Sequence, residues 1–196
     1  RKRFLSTIHT ESLRLTLLLD EILDLSALER GEKTWENEEV EVLKVLNRAA
    51  LVCEPLAKSS GIDIRMGAVL DNAVVEANGD RLCQVFINLI SNAVKYNDSE
   101  DPYVAVSMKR VGKRLQIEFQ DNGPGIAPKD RKRVFNKFSR GHRGVSNAQT
   151  GSGLGLAISS QIVSHMSGKI DLVRGTGEGA CFRVTLPLAT VAKAAE

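Results

Sequence analysis

The sequence lacks the features that mark several protein classes. It has only three cysteines among 196 residues, and their scatter argues against a disulfide framework or a zinc site and for a reducing compartment. No apolar run is long enough to span a bilayer, and no signal-peptide pattern is present. A net charge of only +3 does not indicate a nucleic-acid-binding protein, and we interpret the basic cluster at 131–133 as a solvated face. The chain begins at Arg1, inside a helical pattern, so we expect it to be a piece of a longer protein.

The first 30 residues predict one long helix, because they contain neither glycine nor proline. Apolar side chains along it recur at alternating steps of three and four, which is the pattern of a short coiled coil or helical bundle. These seam positions are Leu5, Ile8, Leu15, Leu19 and Ile22. A helix with one apolar stripe needs a partner, so we expect it to pack against other helices or a second chain.

The whole chain divides into a bundle helix at 1–31, a polar linker at 32–39, a main domain at 40–188 and a tail at 189–196. Within the main domain, helical periodicity alternates with segments whose apolar and polar residues alternate, which predict strands and hairpins. The predicted helices lie at 43–57, 81–96 and 154–166, and the predicted strands at 62–66, 73–77, 103–109, 114–120, 170–173 and 181–186. Helices interleaved with antiparallel hairpins favour an α+β fold, a two-layer sandwich of one sheet covered by helices.

The predicted helix at 81–96 carries two asparagines on its polar face, although asparagine is a poor helix former. Asn88 and Asn92 are four residues apart and therefore share one face. An amide oxygen can ligate Mg²⁺ without adding negative charge beside phosphate oxygens. Lys95 could meet phosphate from the same end of the helix, and Tyr96 could supply a ring edge or a hydroxyl. The alternative is a helix whose polar stripe happens to contain asparagine.

A glycine turn, DNGPGIA, begins at Asp121 directly after a predicted strand. A carboxylate repels phosphate, so this turn is unsuited to cradling one. A semi-buried aspartate is instead a good acceptor for a neutral N–H donor, such as the amino group of adenine. The alternative is an ordinary Asp-Asn-Gly turn.

A second glycine cluster, GSGLGLAI, opens the predicted helix at 154–166. It does not match the dinucleotide-binding fingerprint, because Leu156 stands in place of the third spaced glycine and no strand precedes the cluster. The P-loop pattern also fails, since Arg114 and Ile170 follow the Gly-Lys pairs where Ser or Thr is required. Free N–H groups at the start of a helix nevertheless suit phosphate. The alternative is a flexible loop that caps a helix.

Together the three signals form an ordered set: Asn-x₃-Asn on a helix, Asp-x-Gly-x-Gly after a strand, and Gly-x-Gly-x-Gly opening a helix. This set resembles the ATP-binding domain of bacterial sensor histidine kinases of two-component systems, within the GHKL superfamily. NLISNAVKY is similar to the family's N box, DNGPGI to its G1 box, VFNKFSR to its F box and GSGLGLAI to its G2 box. The stretch ESLRLTLLLDEILDLSALERGE resembles the second helix of the family's dimerisation and phosphoacceptor domain.

The resemblance implies the GHKL ATPase fold, with a mixed, mostly antiparallel sheet, and the cofactors ATP and Mg²⁺. It implies that Asp121 accepts from the adenine amino group, and that Asn92 ligates Mg²⁺ with Asn88 assisting at the metal or phosphate. The implied catalytic residues are Asn88, Asn92, Lys95 and Arg140, with Arg143 also near the γ-phosphate. Phe135 and Phe138 are implied to anchor a lid. The implied nucleotide-contacting residues are Asn88, Asn92, Lys95, Tyr96, Asp121, Gly123, Gly125, Ile126, Phe138, Gly151, Ser152, Gly153, Leu154, Gly155 and Leu156.

One position separates a kinase from a hydrolase within this resemblance. Related ATPases carry a general-base glutamate four residues before the metal-binding asparagine, and here that position is Asn88, which cannot take a proton at neutral pH. Neutral imidazole brings its own lone pair, so we expect γ-phosphoryl transfer to a histidine rather than to water. The alternatives are a GHKL-type ATPase, a degenerate nucleotide-binding module without phosphotransfer, and an anti-sigma-type serine kinase.

None of the three histidines fits the family's phosphoacceptor setting. His9 lacks the expected Glu and Pro after it, His142 falls in the lid, and His165 matches a histidine near a helix end, where a capping role is expected. We therefore expect the acceptor to lie outside this chain, which should bind ATP without phosphorylating itself. The implied partners are a response-regulator receiver domain and a second copy of the intact protein through the helical bundle, with no nucleic acid. The implied location is the bacterial cytoplasm, with the intact protein either free there or anchored in the inner membrane.

Overall fold

The computed structural model describes residues 2–31, 35–139, 152–173 and 179–189. Its helices are α1 (Lys2–Glu29), α2 (Val42–Ser59), α3 (Gly79–Lys95) and α4 (Gly155–His165). Its strands are β1 (Glu38–Glu41), β2 (Asp63–Met66), β3 (Val74–Ala77), β4 (Tyr103–Val111), β5 (Arg114–Asp121), β6 (Lys169–Val173) and β7 (Cys181–Pro187). The helices and strands predicted from periodicity are confirmed, with ends that shift by a few residues.

Five of the strands form one sheet in the order β2-β4-β5-β7-β6. Strand β2 runs parallel to β4, and the other three pairings are antiparallel. Every second side chain of β5 is buried, from Leu115 to Asp121, because successive strand residues point to opposite faces. The buried face packs against α2, α3 and α4 in one hydrophobic core. The expected α+β sandwich with a mostly antiparallel sheet is therefore confirmed.

Strand β1 lies partly inside the stretch that the sequence assigned to a linker. It pairs antiparallel with β3 in a separate two-stranded sheet, with Val40 opposite Val75. Its sequence, EEVE, contains one apolar residue, so charge masked the strand signal, although Val40 is buried. The predicted domain boundaries themselves stay a prediction.

Helix α1 is attached to the main domain through its C-terminal turns. Leu25 and Leu28 are buried in the common core. Further up the helix Leu15, Leu19 and Ile22 expose 61%, 58% and 41% of their surface, so these three positions of the predicted apolar seam are uncovered in this single chain. Among the described residues, no helix combines the length and the hydropathy that crossing a membrane requires.

Candidate nucleotide-binding site

Helix α3 supplies one wall of the candidate site. Asn78 caps its start by accepting from the backbone N–H of Arg81 at 3.1 Å, the usual way to satisfy a free N-terminal donor. Its core-facing stripe repeats with helical spacing and is almost completely buried. This stripe comprises Leu82, Phe86, Leu89, Ile90 and Ala93. Burial of that stripe fixes the rotation of the helix and so turns Asn88 and Asn92, on their shared face, toward α4.

The two asparagines form a hydrogen-bonded chain that ends on α4. Asn92 Nδ2 donates to Asn88 Oδ1 at 3.3 Å, and Asn88 Nδ2 donates to Ser159 Oγ at 2.9 Å. Ser159 is buried, with 2% of its surface exposed. Sequence analysis missed Ser159, although a serine on the apolar face of a short helix is a signal for a polar contact. The chain leaves Asn92 Oδ1 as the carboxamide oxygen that no described contact uses.

The donor set around Asn92 fits a magnesium ion that is held mainly by phosphate. Mg²⁺ keeps several water ligands and commonly takes one or two oxygens from protein, so a carboxamide oxygen suffices. In the described part of the chain, no three His, Cys, Asp or Glu side chains cluster in a way that could hold a metal ion.

Lys95 and Tyr96 lie at the C-terminal end of α3, and both are exposed. Tyr96 exposes 55% of its surface. The position leaves the ammonium and the phenol free to face a ligand at this rim, and their predicted roles stay predictions.

Asp121, the last residue of β5, is buried, and its predicted role as an acceptor from a ligand stays a prediction. Its Oδ1 accepts from the backbone N–H of Gly123 at 2.9 Å and of Ala180 at 3.0 Å. Burial raises the pKa of this carboxyl above its ordinary value, and the two backbone hydrogen bonds offset only part of that effect. Both bonds end on Oδ1, so Oδ2 is the atom that could receive a donor from a ligand.

The turn after Asp121 is held by an asparagine network that the sequence analysis did not identify. Asn122 Oδ1 accepts from the backbone N–H of Tyr103 at 2.8 Å and from Asn97 Nδ2 at 2.9 Å. Its Nδ2 donates to the carbonyl of Asp101 at 2.8 Å. These bonds tie the turn to the segment between α3 and β4, so the position of Asp121 depends on contacts remote in sequence.

Two glycines let the Asp121 turn approach its neighbours closely. A Cβ on Gly123 would lie 3.1 Å from the carbonyl oxygen of Tyr96, closer than such contacts normally come. Gly125 has a φ of +66°, and a Cβ there would lie 2.9 Å from the carbonyl oxygen of Gly179. The presence of glycine at both positions therefore has a steric basis. Ile126, the next predicted residue, is partly buried against the core.

The described part of the second glycine cluster packs closely against α3. Gly153 has a φ of +72°, and a Cβ there would lie 3.0 Å from the backbone of Phe138. A Cβ on Gly155 would meet the carboxamide oxygen of Asn88. Leu154 N donates to Ser152 Oγ at 3.1 Å, and the Leu154 side chain is fully buried. The start of α4 is thus placed directly beside the asparagine pair.

The remaining predicted positions are placed as follows. Leu156 is partly buried against the core, and Phe135 meets Phe182 edge-on, with ring centroids 6.1 Å apart. Phe138 exposes 61% of its surface and has a φ of 57°, so it does not act as a buried anchor here, and its implied lid role stays a prediction. The predicted residues Arg140, Arg143 and Gly151 lie outside the described residues.

The opposite end of α3 joins the site to α1. Arg81 Nη1 donates to Asp24 Oδ2 of α1 at 3.1 Å, and its guanidinium lies 5.0 Å from the ring centroid of Trp35. Trp35 packs against His165 at the end of α4, with centroids 5.5 Å apart. His165 Nδ1 also lies 2.9 Å from the carbonyl oxygen of Gln161, as a capping role requires. We call Asp24, Trp35, Arg81 and His165 the junction cluster.

Comparison with known families gives one match that covers more than half of the chain. Residues 77–190 match the family described as "Histidine kinase-, DNA gyrase B-, and HSP90-like ATPase". The match contains all three motifs described above, the asparagine pair, the Asp121 turn and the second glycine cluster.

Similar proteins and structures extend the likeness across α1. The chain is 33% identical over 186 residues to the sensor-like histidine kinase SenX3 of Mycobacterium bovis, which covers 95% of this chain and 45% of the relative. It is 34% identical over 185 residues to the sensor protein KdpD of Escherichia coli K12, covering 94% of this chain and 20% of KdpD. The crystal structure of full-length ShkA in complex with AMPPNP is similar with a TM-score of 0.81 and 27% identity, over 97% of this chain and 39% of ShkA. The chain thus spans less than half the length of each of these proteins.

Proposed function

Because the chain belongs to the family of histidine kinase-, DNA gyrase B- and HSP90-like ATPases, we propose that it is the ATP-binding catalytic part of a two-component sensor histidine kinase. The observation that carries this proposal is that residue 88 is an asparagine with a hydrogen-bonded carboxamide. The resemblance implies that Asn88 stands where hydrolytic members carry a general-base glutamate, and its carboxamide is hydrogen-bonded to Ser159 and Asn92. A carboxamide cannot accept a proton from water at neutral pH, so the site suits a nucleophile that needs no base.

The proposed ATP pose runs from Asp121 to the asparagine pair. Asp121 Oδ2 accepts from the adenine amino group, while Gly123 and Gly125 allow the turn to approach the base. Asn92 Oδ1 contacts Mg²⁺, which when bound supplies charge neutralisation at the phosphates. Lys95 adds positive charge at the same end of α3, and the N–H groups at the start of α4 face the phosphates. We propose Arg140 as a further cation near the γ-phosphate.

The proposed reaction is an in-line transfer of the γ-phosphoryl group to a histidine. A nitrogen of neutral imidazole attacks phosphorus, an N–P bond forms, the bond from phosphorus to the β,γ-bridging oxygen breaks, and ADP leaves. The phosphorylated ring then loses the proton on its other nitrogen to solvent. Chain residues bind and orient the nucleotide, since no described side chain in the site is placed as a base. The acceptor histidine belongs to a part of the intact protein outside this chain, and the phosphoryl group passes from it to a response-regulator aspartate.

The proposed partners follow from the uncovered seam of α1 and from the kinase assignment. Leu15, Leu19 and Ile22 expose apolar surface that a second copy of the intact protein would cover in a helical bundle. The receiver domain of a response regulator is the proposed phosphoryl acceptor. This reaction places the chain on the cytoplasmic side of a bacterial cell, where ATP is available.

The experiment that tests the proposal has two arms. Calorimetry of this chain with ADP and with GDP should show binding of the adenine nucleotide only, because Oδ2 of Asp121 accepts from an amino group that guanine does not present there. The intact protein with γ-labelled ATP and Mg²⁺ should form acid-labile, base-stable phosphohistidine. Equal affinity for both nucleotides would overturn the base assignment, and label appearing only as free phosphate would overturn the kinase assignment.

A further inference from the structure

A run of basic residues follows the Asp121 turn, and the proposed nucleotide pose does not use it. Four exposed cationic side chains lie within five positions, with one aspartate among them. These cations are Lys129, Arg131, Lys132 and Arg133, and we call residues 129–133 the basic segment. Within the described residues none of the four forms an ion pair, and Arg131 Nε donates to the neutral carbonyl of Ile126 at 3.1 Å. The four cations and the aspartate together give the segment a net charge of +3, open to solvent.

The basic segment lies between the two ends of the proposed nucleotide site. At one end the chain leaves the Asp121 turn through Ile126, whose carbonyl accepts the bond from the segment. At the other end the backbone of Phe138 lies so near the start of α4 that a Cβ on Gly153 would come within 3.0 Å of it. Four successive backbone hydrogen bonds, each spanning three residues, keep the chain from 127 to 139 compact. The positive charges therefore lie beside the path from the adenine end of the site to its phosphate end.

The groups of the site itself offer a polyanion little net attraction. The two asparagines are neutral, and the charge of the Lys95 ammonium is matched by that of the Asp121 carboxylate. The flank between α3 and β4 is acidic, with exposed Glu100 and Asp101. A nucleotide di- or triphosphate carries several negative charges, so it gains from positive charge placed nearby. The basic segment supplies the positive charge that the described groups of the site lack.

We propose that the basic segment draws the nucleotide into the site by long-range electrostatic attraction and so sets its association rate. This inference rests on the proposed function, in which the ligand is a nucleotide. Charge of one sign beside a cleft raises association rates by about 10–1,000-fold, and salt weakens the effect because it shortens the screening length from about 30 Å at 0.01 M to about 3 Å at 1 M. The cations make no contact with the bound nucleotide, so its dissociation rate should be nearly independent of them.

The test measures association and dissociation rates of a ribose-labelled fluorescent, non-hydrolysable ATP analogue with Mg²⁺ by stopped flow. The variant combines Lys129→Gln, Lys132→Gln and Arg133→Gln, and it keeps Arg131 because that side chain bonds to Ile126. With three positive charges removed, we expect the association rate to fall about fivefold at about 0.02 M salt and to lie within about twofold of the wild type at about 0.5 M. The dissociation rate should change by less than about twofold at both salt concentrations.

A matched control removes three positive charges at the opposite end of the sheet. It combines Arg110→Gln, Lys113→Gln and Arg114→Gln, which lie in the exposed hairpin between β4 and β5. At about 3.4 Å per residue, β5 places Arg114 about 24 Å from Asp121. The net charge of the chain changes equally in the two variants, but the control should keep the association rate within about twofold of the wild type at both salt concentrations.

The outcomes separate long-range attraction from other effects of the substitutions. Equal association rates for the wild type and the basic-segment variant at low salt would overturn the proposal, and an equal fall in the hairpin variant would assign the effect to net charge alone. A loss that persists at high salt, or that appears in the dissociation rate, would show direct contact with the nucleotide instead.

Adenosine supplies a test with an uncharged ligand. It carries no phosphate, so calorimetry should give the same adenosine affinity for the wild type and the basic-segment variant. A weaker affinity in the variant would overturn the proposal, because attraction between charges cannot act on a neutral ligand. If the wild-type chain bound neither adenosine nor the ATP analogue, the proposed function itself would fail.

Discussion

The two ends of helix α3 are attached by different chemistry. At the N-terminal end, Arg81 carries a full charge to Asp24 and packs over Trp35, so charged and aromatic contacts join α3 to α1. At the C-terminal end, the neutral carboxamides of Asn88 and Asn92 bond to each other and to a hydroxyl. Neutral oxygen ligands favour the binding of a polyanion with a divalent cation, because they add no negative charge. Ionic contacts instead stabilise the packing of one helix against another. We therefore expect that attachment to α1 and nucleotide binding can be changed separately.

The hydrophobic core beside the middle of α3 supports both its attachment to α1 and its nucleotide-binding end. A core substitution should therefore weaken both. Phe86 is fully buried and packs on Phe119 of β5, with ring centroids 5.4 Å apart. We expect Phe86→Ala to lower the free energy of unfolding by about 3–5 kcal/mol, the usual cost of removing a buried aromatic ring. Chemical denaturation checks the stability, and ADP calorimetry together with hydrogen exchange of α1 should show both ends weakened. If only the ADP affinity or only the protection of α1 fell, α3 would not act as a rigid connection between the two sites.

Asp121→Asn should affect the nucleotide end alone. Asparagine keeps Oδ1 as the acceptor for Gly123 and Ala180 but replaces Oδ2 with an NH₂ group that faces the adenine amino group. A hydrogen bond to a charged acceptor contributes about 1.5–3 kcal/mol, so we expect ADP affinity to fall by about 10–100-fold. Calorimetry measures it, with Asp71→Asn, in an exposed turn, as the control. An unchanged affinity would show that Asp121 does not bind the base.

The same carboxyl should give nucleotide binding a pH dependence. Burial raises the pKa of Asp121, so its proton returns at a higher pH than for an ordinary aspartate. As the pH falls through that raised pKa, the ionised acceptor is lost, and ADP affinity should decline toward that of Asp121→Asn. The contribution of Asp121 to the free energy of unfolding changes with pH in the opposite direction to the ADP affinity. Protonation removes the cost of burying the charge, so this group favours folding at low pH and opposes it above its pKa. Calorimetry at several pH values checks the affinity, and the variant should lack this titration.

Arg81→Ala should loosen α1 while nucleotide binding stays intact. It removes a partly buried ion pair and a cation–π contact, together worth about 1–2 kcal/mol. Backbone amides in the last turns of α1 should exchange correspondingly faster in hydrogen-exchange mass spectrometry, with ADP affinity unchanged. Arg110→Ala, at an exposed end of β4, provides the control. A fall in ADP affinity equal to the loss of protection would contradict the separation of the two ends.

The smallest effect is expected from the second ionic contact to α1. Lys137 Nζ lies 2.7 Å from Glu29 Oε2, and both side chains are substantially exposed. Exposed pairs contribute about 0–1 kcal/mol, and we expect less than about 0.5 kcal/mol here. Exchange of the same amides in Lys137→Ala checks this. Loosening as large as that in Arg81→Ala would mean that the junction cluster does not hold α1.

The sequence could predict features that depend on local periodicity. Helix α3, its two asparagines on one face and the Asp121 turn follow from residue spacing within about 20 positions. Strand β1 could not be predicted, because Val40 is its only apolar residue and its partner β3 lies more than 30 residues away. Ser159 meets Asn88 across 71 positions of sequence, so only the packing of α4 on α3 shows this contact. The Asn122 network depends in the same way on where β4 begins.

We propose that this neutral site serves transfer to imidazole and does not activate water. The most direct measurement incubates the intact protein with γ-labelled ATP and Mg²⁺, and quantifies protein-bound label and free phosphate in parallel. We expect acid-labile phosphohistidine on the intact protein, its loss in Asn92→Ala, and little free phosphate from residues 1–196 alone. Rapid phosphate release by this chain alone, dependent on Asn92 and without phosphohistidine in the intact protein, would contradict it.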